Sequence, residues 1–419
     1  MAMSANPLLK DLAESINANV AALTTQLSKL DHAEPTFSND GAPDYPQDPE
    51  VQRSRMAVAS AALDLYHLSL GPSLFLRTQS FAAKFDTMVL EVLNEFKVFD
   101  AVPLDGSTSY SDIATMSNRI FAEKEPNSGR VIHTATSAAA RSPRLQAWIG
   151  HNLNDMGKAC AHMVDSLRIF GDGDGEPGRT AVALSMFPGR DPNYGFYSFL
   201  EDDDQGGEKG WRMKRFGEAM SFVPSGEGLE FKYILDGLDW GAFGEGVIVD
   251  VGGSIGHVSV AVASKFPSIK CIVQDFAALE PRFKESLPAN MGDRVTFQAH
   301  DFFNEQPVKG ANAYLFKHIF HNWSDKYRIR ILRNIIPAMK KESSIVIVDT
   351  VVPPRGVVIT VEERLVLGMD IQMAVAFNAK ERSGQEWATL VKQADERLVV
   401  KNITMPPDGV FGVVEVGFQ

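Results

Sequence analysis

Positive charge is in deficit along this 419-residue chain, where 41 Lys and Arg stand against 53 Asp and Glu for a formal net charge of −12. A nucleic-acid surface relies on clustered cations that release counterions from phosphate, so the balance argues against nucleic acid and for small-molecule or protein partners. Cysteine is almost absent. Cys160 and Cys271 alone make neither a disulfide framework nor a zinc cluster, and they read as two inert buried thiols in a reducing compartment, with no metal site expected. No stretch approaches the roughly 20 apolar residues that cross a bilayer. The opening "MAMSANPLLKDL" also lacks the basic start and apolar centre of a secretory signal, so the expectation is a cytoplasmic protein that does not engage a membrane. Internal repeats are missing too. The turn-rich segments "GDGDGEPG" and "EDDDQGGE" lack the spacing of a calcium loop and read as solvated.

What is present is a chain 44% hydrophobic and 22% charged, long enough to bury a large core in two or three domains. Residues 1–50 hold an amphipathic helix, "PLLKDLAESINANVAALTTQLSKL", and a linker rich in Pro, Asp and Gly. Residues 51–141 contain the helical runs "AVASAALDLYHLSL" and "FDTMVLEVLNEFKVFDAVP". The segments "NRIFAEKE" and "GRVIHTATS" then read as the two strands of a wing. The acidic charge makes DNA binding by such a winged-helix-like unit improbable, and a dimerisation role is expected. Residues 142–240 are mostly helical, with "RLQAWIGHNLNDMGKACAHMVDSLRIF" and "GWRMKRFGEAMSFV", and read as a connector and substrate lid.

From residue 241 the pattern changes. The strand-like runs "VIVDV", "KCIVQDF", "RVTFQAHDF", "AYLFKHIF" and "SIVIVDTVV" alternate with helical segments, which predicts a doubly wound, Rossmann-like α/β domain over 241–419. Its end, "RLVVKNITMPPDGVFGVVEVGFQ", predicts an antiparallel edge hairpin closed by a Pro-Pro-Asp-Gly turn.

Ligands of doubly wound sheets bind beyond the carboxyl ends of the strands, so the first turn, "VIVDVGGSIGH", is the place to look. No frame supplies the G-x-G-x-x-G of a dinucleotide site. Instead Asp250 closes the strand ahead of Gly252, Gly253, Ser254 and Gly256, where a backbone with little side chain admits a ligand closely. Asp275 ends the next run, about 20 residues on, where a ribose-binding acid is expected. Asp301 and Phe302 end the third run, able to hydrogen-bond and stack on an adenine. An Asp at the mouth of the turn repels a phosphate. A cofactor with a ribose, an adenine and a positive centre fits, and S-adenosylmethionine is one.

These motifs resemble the class I S-adenosylmethionine-dependent O-methyltransferases, the caffeate-type plant enzymes and their fungal secondary-metabolite relatives. "VDVGGSIGH" looks like their cofactor motif, "VQDF" their ribose acid, "FKHIFHNWSD" their catalytic-base motif and "NAKERSGQEWATLVKQAD" their late helix. The resemblance implies methyl transfer to a hydroxyl of a small aromatic or polyketide-type metabolite by a homodimer built through the N-terminal domain. It places His321 as general base, and imidazole has the pKa such a base needs. Asp349 and Glu381, the latter read as the start of a helix, match its flanking acids, expected to accept the imidazole N–H. Lys317, one helical turn before His321, matches a cofactor-contacting lysine, and Met369 and Met373, at i and i+4, fall in the substrate segment. Two departures stand out. "DIATMS" runs straight into "NRIF" at Ser117 and Asn118, where fungal relatives carry a further helix, and Asn322 replaces the Asp of the family's His-Asp-Trp.

Some proteins of this fold keep the cofactor yet act as pericyclases, dehydrating a substrate and steering a cycloaddition or ene reaction. For that alternative His133, Lys317, His318 and His321 are the expected donors to a developing oxyanion. A third class, a cofactor-sensing regulator that binds DNA, is disfavoured by the charge.

Overall fold

In a computed structural model of the chain, the residues described are 7–37, 42, 44–81, 83–109, 130–171, 175–203, 207–222, 231–354, 357–358, 360–405 and 411–419. The proposed wing strand at 118–125, the junction of Ser117 and Asn118 and the Pro-Pro-Asp-Gly turn fall outside them.

The β-branched runs that predicted strands form one seven-stranded sheet. Its members are β3 (Val247–Val251), β4 (Lys270–Asp275), β5 (Val295–Ala299), β6 (Ala313–Lys317), β7 (Ser344–Asp349), β8 (Leu398–Thr404) and β9 (Gly412–Phe418). The order is β5-β4-β3-β6-β7-β9-β8, parallel through β7 and then antiparallel for β9 and β8. This is the doubly wound sheet with an antiparallel edge hairpin that the sequence predicts. A separate pair, β1 (Thr108–Ser109) and β2 (Arg130–Val131), is antiparallel and only two residues long on each side.

Successive residues of a strand face opposite layers, and both faces of the sheet are covered. Val249, Tyr314, Phe316, Ile345 and Ile347 pack with α10 (Asp325–Ile335) and α12 (Gly384–Ala394), whose Leu332 and Trp387 are buried there. Ile248, Val273, Leu315, Val346 and Val348 face α8 (His257–Lys265) and α9 (Glu280–Ser286) through Val262 and Phe283.

The N-terminal part is helical. α1 (Leu9–Lys29) buries Leu12, Leu23 and Leu27 and lies along α2 (Pro49–Phe81), which is broken at Gly71 (φ 68°, ψ 164°) because Pro72 cannot continue the hydrogen-bond ladder. α3 (Ala83–Glu95) follows. α4 (Pro143–Gly150) runs into a π-helix over His151–Gly157, whose buried Asp155 accepts from His151 and from two arginines, Arg212 and Arg215. α5 (Ala181–Met186), α6 (Phe196–Asp202) and α7 (Trp211–Phe222) complete a third cluster with α11 (Thr360–Phe377).

The sheet also ties down its own polar groups. Tyr314 is fully buried, and its hydroxyl sits 2.8 Å from the carbonyl oxygens of Val308 and of Ala338. Replacing Tyr314 with Phe removes the one proton these carbonyls share, although Ala338 keeps the Gly310 amide at 2.7 Å. It is expected to cost about 1–3 kcal/mol, read as a lower urea midpoint with an unchanged slope.

Candidate functional site

The strand order reverses between β3 and β6, so the crevice beyond their carboxyl ends is where a ligand of this sheet binds. Both walls of that crevice are turns made by the motifs singled out above.

The first wall is the glycine turn. Gly252 (φ 73°), Ser254 (φ 52°) and Gly256 (φ 81°) take left-handed backbone angles, and the Gly252 and Gly253 amides both donate to the Gln274 carbonyl, at 2.8 and 3.1 Å. A Cβ on Gly252 would stand 2.5 Å from Ile319 Cδ1, which shows how closely this turn approaches the one after β6. Asp275 closes β4 and receives the Ser254 amide at 2.9 Å and the Phe276 amide at 2.8 Å, and a carboxylate in those bonds keeps further lone pairs for a hydroxyl. Burial raises its pKa. Asp301 and Phe302 fall just past β5, which ends at Ala299. Asp301 accepts the Phe303 amide at 2.9 Å, and the Phe302 ring lies 3.8 Å from the position of a Gly252 Cβ.

Asp250 is placed differently from the expectation. It lies beneath the turn, 2% exposed, where it accepts from Ser259 Oγ at 2.7 Å and leaves no room for a Cβ on Gly253. Burial pushes its pKa up to about 6. It packs beneath the turn and shapes it from below.

The second wall follows β6. Lys317 is the last residue of that strand, so the helical-turn relation to His321 gives way to a strand end, a left-handed His318 (φ 54°) and a 3-10 turn at Phe320–Asn322. Lys317 Nζ is 3.1 Å from His318 Nδ1, and burial lowers the lysine to about 8 against the opposing pull of Asp250 and Asp349. His318 is held well below the ordinary imidazole pKa by burial and by its neighbours Lys317 and His321.

His321 Nδ1 is 3.1 Å from Glu381 Oε1, and that side chain is only 1% exposed. With Nδ1–H donated to the carboxylate, Nε2 is the ring position that accepts a proton. Burial alone would lower the imidazole, but Asp349 and the bonded Glu381 outweigh it and raise the pKa above 6.5. Asp349 does not share the ring N–H as expected. Its Oδ2 takes the His321 backbone amide at 3.2 Å, and its Oδ1 has no hydrogen-bonding partner among the described residues. Burial and the nearby Glu381 carry Asp349 up to about 7. Glu381 precedes α12 and is not its first residue; its own amide donates to Asp370 at 2.8 Å.

Met373 is buried and Met369 half-buried in the third cluster, beside rings the sequence did not single out. Phe377 meets Phe196 at 5.6 Å and Tyr197 at 5.4 Å, and Tyr197 reaches 5.9 Å from Phe216. Burial, with the Asp275 charge, raises Tyr197 well above the usual phenol range. No periodicity marks these residues, since α6 is too short to show one.

His133 is not part of this assembly of donors. Its Nε2 is spent on the Val102 carbonyl and its Nδ1 on Ser137 Oγ, both at 2.9 Å, so it serves local structure. Among the described residues no group of His, Cys, Asp and Glu is arranged to hold a metal ion, and no helix is long and apolar enough to cross a membrane.

The pH dependence of a proton transfer at His321 follows from its partners. The ring must be neutral to accept a proton, so the rate is expected to rise with pH along a limb above 6.5. Glu381→Gln, which removes the charge that favours imidazolium, moves that limb to lower pH. A pH profile of kcat for both proteins reads the shift.

An O-methyltransferase domain model matches residues 214–395. The chain is 32% identical to the O-methyltransferase aurJ of Gibberella zeae over 100% of its length and 99% of that protein. It is also 32% identical to the chlorophenol O-methyltransferase of Trichoderma longibrachiatum, covering 98% of this chain and 90% of that one. Among solved structures, OxaC aligns at a TM-score of 0.73 with 19% identity, over 97% of this chain and all of that one. LepI in complex with SAM aligns at 0.69 with 20% identity, over 96% of this chain and all of that one. At those identities the structures share the fold.

Proposed function

The chain belongs to the O-methyltransferase family, and from that premise we propose that it methylates a hydroxyl of a small aromatic or polyketide-type metabolite, with S-adenosylmethionine as donor and His321 as general base. The observation that carries the reading is the His321–Glu381 pair, set beside the glycine turn where the strand order reverses.

The residues present fit the donor. The Gly252–Gly253 backbone is bare enough for close approach, Asp275 has lone pairs left for ribose hydroxyls, and Phe302 with Asp301 offers a ring and a carboxylate to an adenine. Lys317 lies deeper, between Asp250 and Asp349. When bound, the cofactor supplies an electrophilic methyl group on a sulfonium. The chain's own part is to orient the acceptor and to take its proton. Met369, Met373, Phe377, Phe196 and Tyr197 offer flat or adaptable apolar surface to an aromatic acceptor. His321 Nε2 receives the hydroxyl proton while Glu381 stabilises the imidazolium that forms. Asp349 pins the turn through the His321 amide, and its carboxylate adds to the pull of Glu381 on the imidazolium.

The proposed homodimer rests on the surface of the helical part. Leu74 and Leu76 of α2, Met88 and Val89 of α3, and Leu365 and Ile371 of α11 are large, apolar and exposed in the single chain, side chains of the kind a subunit interface covers. α2 and α11 are joined, since Thr360 Oγ1 donates to Asp64 at 2.8 Å. Sedimentation is expected to give a dimer that Leu76→Asp with Leu365→Asp converts to monomer.

Incubating the protein with S-adenosylmethionine and a panel of phenols, while following S-adenosylhomocysteine and product mass, tests the chemistry. A gain of one methyl is expected, and His321→Ala should lose ~10²–10⁴-fold in kcat while still binding cofactor. A dehydrated or isomerised product without S-adenosylhomocysteine would replace this reading with the pericyclase one.

A further inference from the structure

The segment at 175–178, read from the sequence as part of a solvated loop, is docked on the first turn of α10, next to the catalytic-base motif. Ser324 Oγ donates to the Gly175 carbonyl at 2.9 Å, Tyr327 OH donates to Glu176 Oε2 at 2.7 Å, and Lys326 pairs with Glu176 Oε1. Ser324 occupies the N-cap of α10, the place where a serine side chain ordinarily accepts an amide from its own helix. It makes no such cap bond here, and its hydroxyl is directed across to Gly175.

The glycines of the segment are demanded by the fit. At Gly175 (φ 75°) a Cβ would stand 2.4 Å from Ser324 Oγ. At Gly178 one would stand 2.7 Å from the Asp191 and Pro192 carbonyl oxygens, the second of which receives the Gly178 amide at 2.7 Å. The Glu176 carboxylate also suits a helix N-terminus, where it meets the positive end of the dipole.

What the docking joins matters more than its own strength, because partly exposed ion pairs contribute little. The segment runs directly into Thr180, which caps α5 through the Ala183 amide at 3.0 Å. Ala181, Val182 and Ala183 of α5 are buried against Met373 and Phe377, the acceptor wall. On the other side, Ser324 follows Trp323 and the turn that carries His321. Trp323 packs edge-on to Phe303 at 4.7 Å, and Phe303 in turn meets Tyr327 at 5.7 Å. The same helix start is held from a third direction, since Asp325 pairs with Arg382, the residue after Glu381.

We propose that residues 175–178 and the first turn of α10 form a clasp that sets the acceptor wall against His321, with Glu176, Tyr327 and Ser324 as positioning residues. It rests on the methyl-transfer reading for its effect on rate, and on geometry alone for the coupling of the two elements. A misplacement of about 1 Å can cost ~10²-fold in rate even when its cause lies far from the chemistry, so a clasp remote from the reacting atoms registers in catalysis.

The test uses the full chain and the variants Glu176→Ala, Tyr327→Phe, their combination, and Ser324→Ala. The dissociation constant for S-adenosylmethionine and the thermal midpoint are expected to stay near wild type, while kcat/KM for the acceptor falls about tenfold. The double variant should be no worse than the poorer single one, because both remove the same contact. Amide hydrogen exchange should rise together in 181–186 and in 320–323. Unchanged kcat/KM, additive losses, or faster exchange confined to 175–178 would each overturn the clasp. If no acceptor in the panel is methylated by wild type, the reading of the reaction fails by itself, and the exchange pattern alone decides whether the two elements are coupled.

Discussion

A carboxylate shut away from water must be protonated or paired, and the site is organised around how Glu381 meets that requirement. Its side chain is 1% exposed, and its partner is the His321 imidazole 3.1 Å away. Breaking such a pair from one side leaves an uncompensated buried charge, commonly a loss of about 3–5 kcal/mol. The same requirement explains the neighbours. Asp349, with no cation of its own in hydrogen-bond contact, moves up to about 7. Lys317, buried and drawn on by both Asp250 and Asp349, comes down to about 8. Burial thus shifts Asp349 and Lys317 toward neutrality, while Asp349 and the bonded Glu381 move His321 the other way.

The sheet makes that arrangement possible because it delivers its strand ends to one edge. Asp275, Lys317 and Asp349 close three parallel strands, Asp250 stands one residue before the end of a fourth, and the reversal between β3 and β6 opens the space between their turns. Helices on both faces cover those strands with apolar side chains, and the charged ends stand at one edge of that core. The helical part then closes the far side with rings from α6 and α7 and methionines from α11.

Much of this was legible in the chain because it is local. The run "VIVDV" became β3, "SIVIVDT" became β7, and the terminal segment gave the antiparallel pair β8 and β9. Strand alternation and motif spacing are properties of a few consecutive residues. What was not legible depends on contacts between distant ones. Asp250 reads as a ligand-facing acid, but Ser259 and the turn above it cover it. Glu381 and Asp349 read as equivalent flanking acids, and only the fold gives the ring N–H to one and the backbone amide to the other. His133 looks like a free donor until Val102 and Ser137 occupy both nitrogens. The segment 175–178 reads as solvated because glycine and acid usually are, and its partner lies some 150 residues away. The aromatic wall left no mark because its rings come from three separate helices.

The central claim is that Glu381 fixes His321 as an Nδ1-protonated imidazole whose Nε2 takes a proton above the ordinary range. A nitrogen-15 NMR titration of histidine-labelled protein measures this directly, with His321→Ala assigning the resonances. The account predicts that the neutral ring carries its proton on Nδ1 and titrates above 6.5. A neutral ring protonated on Nε2, or a titration below 6.5, would contradict it.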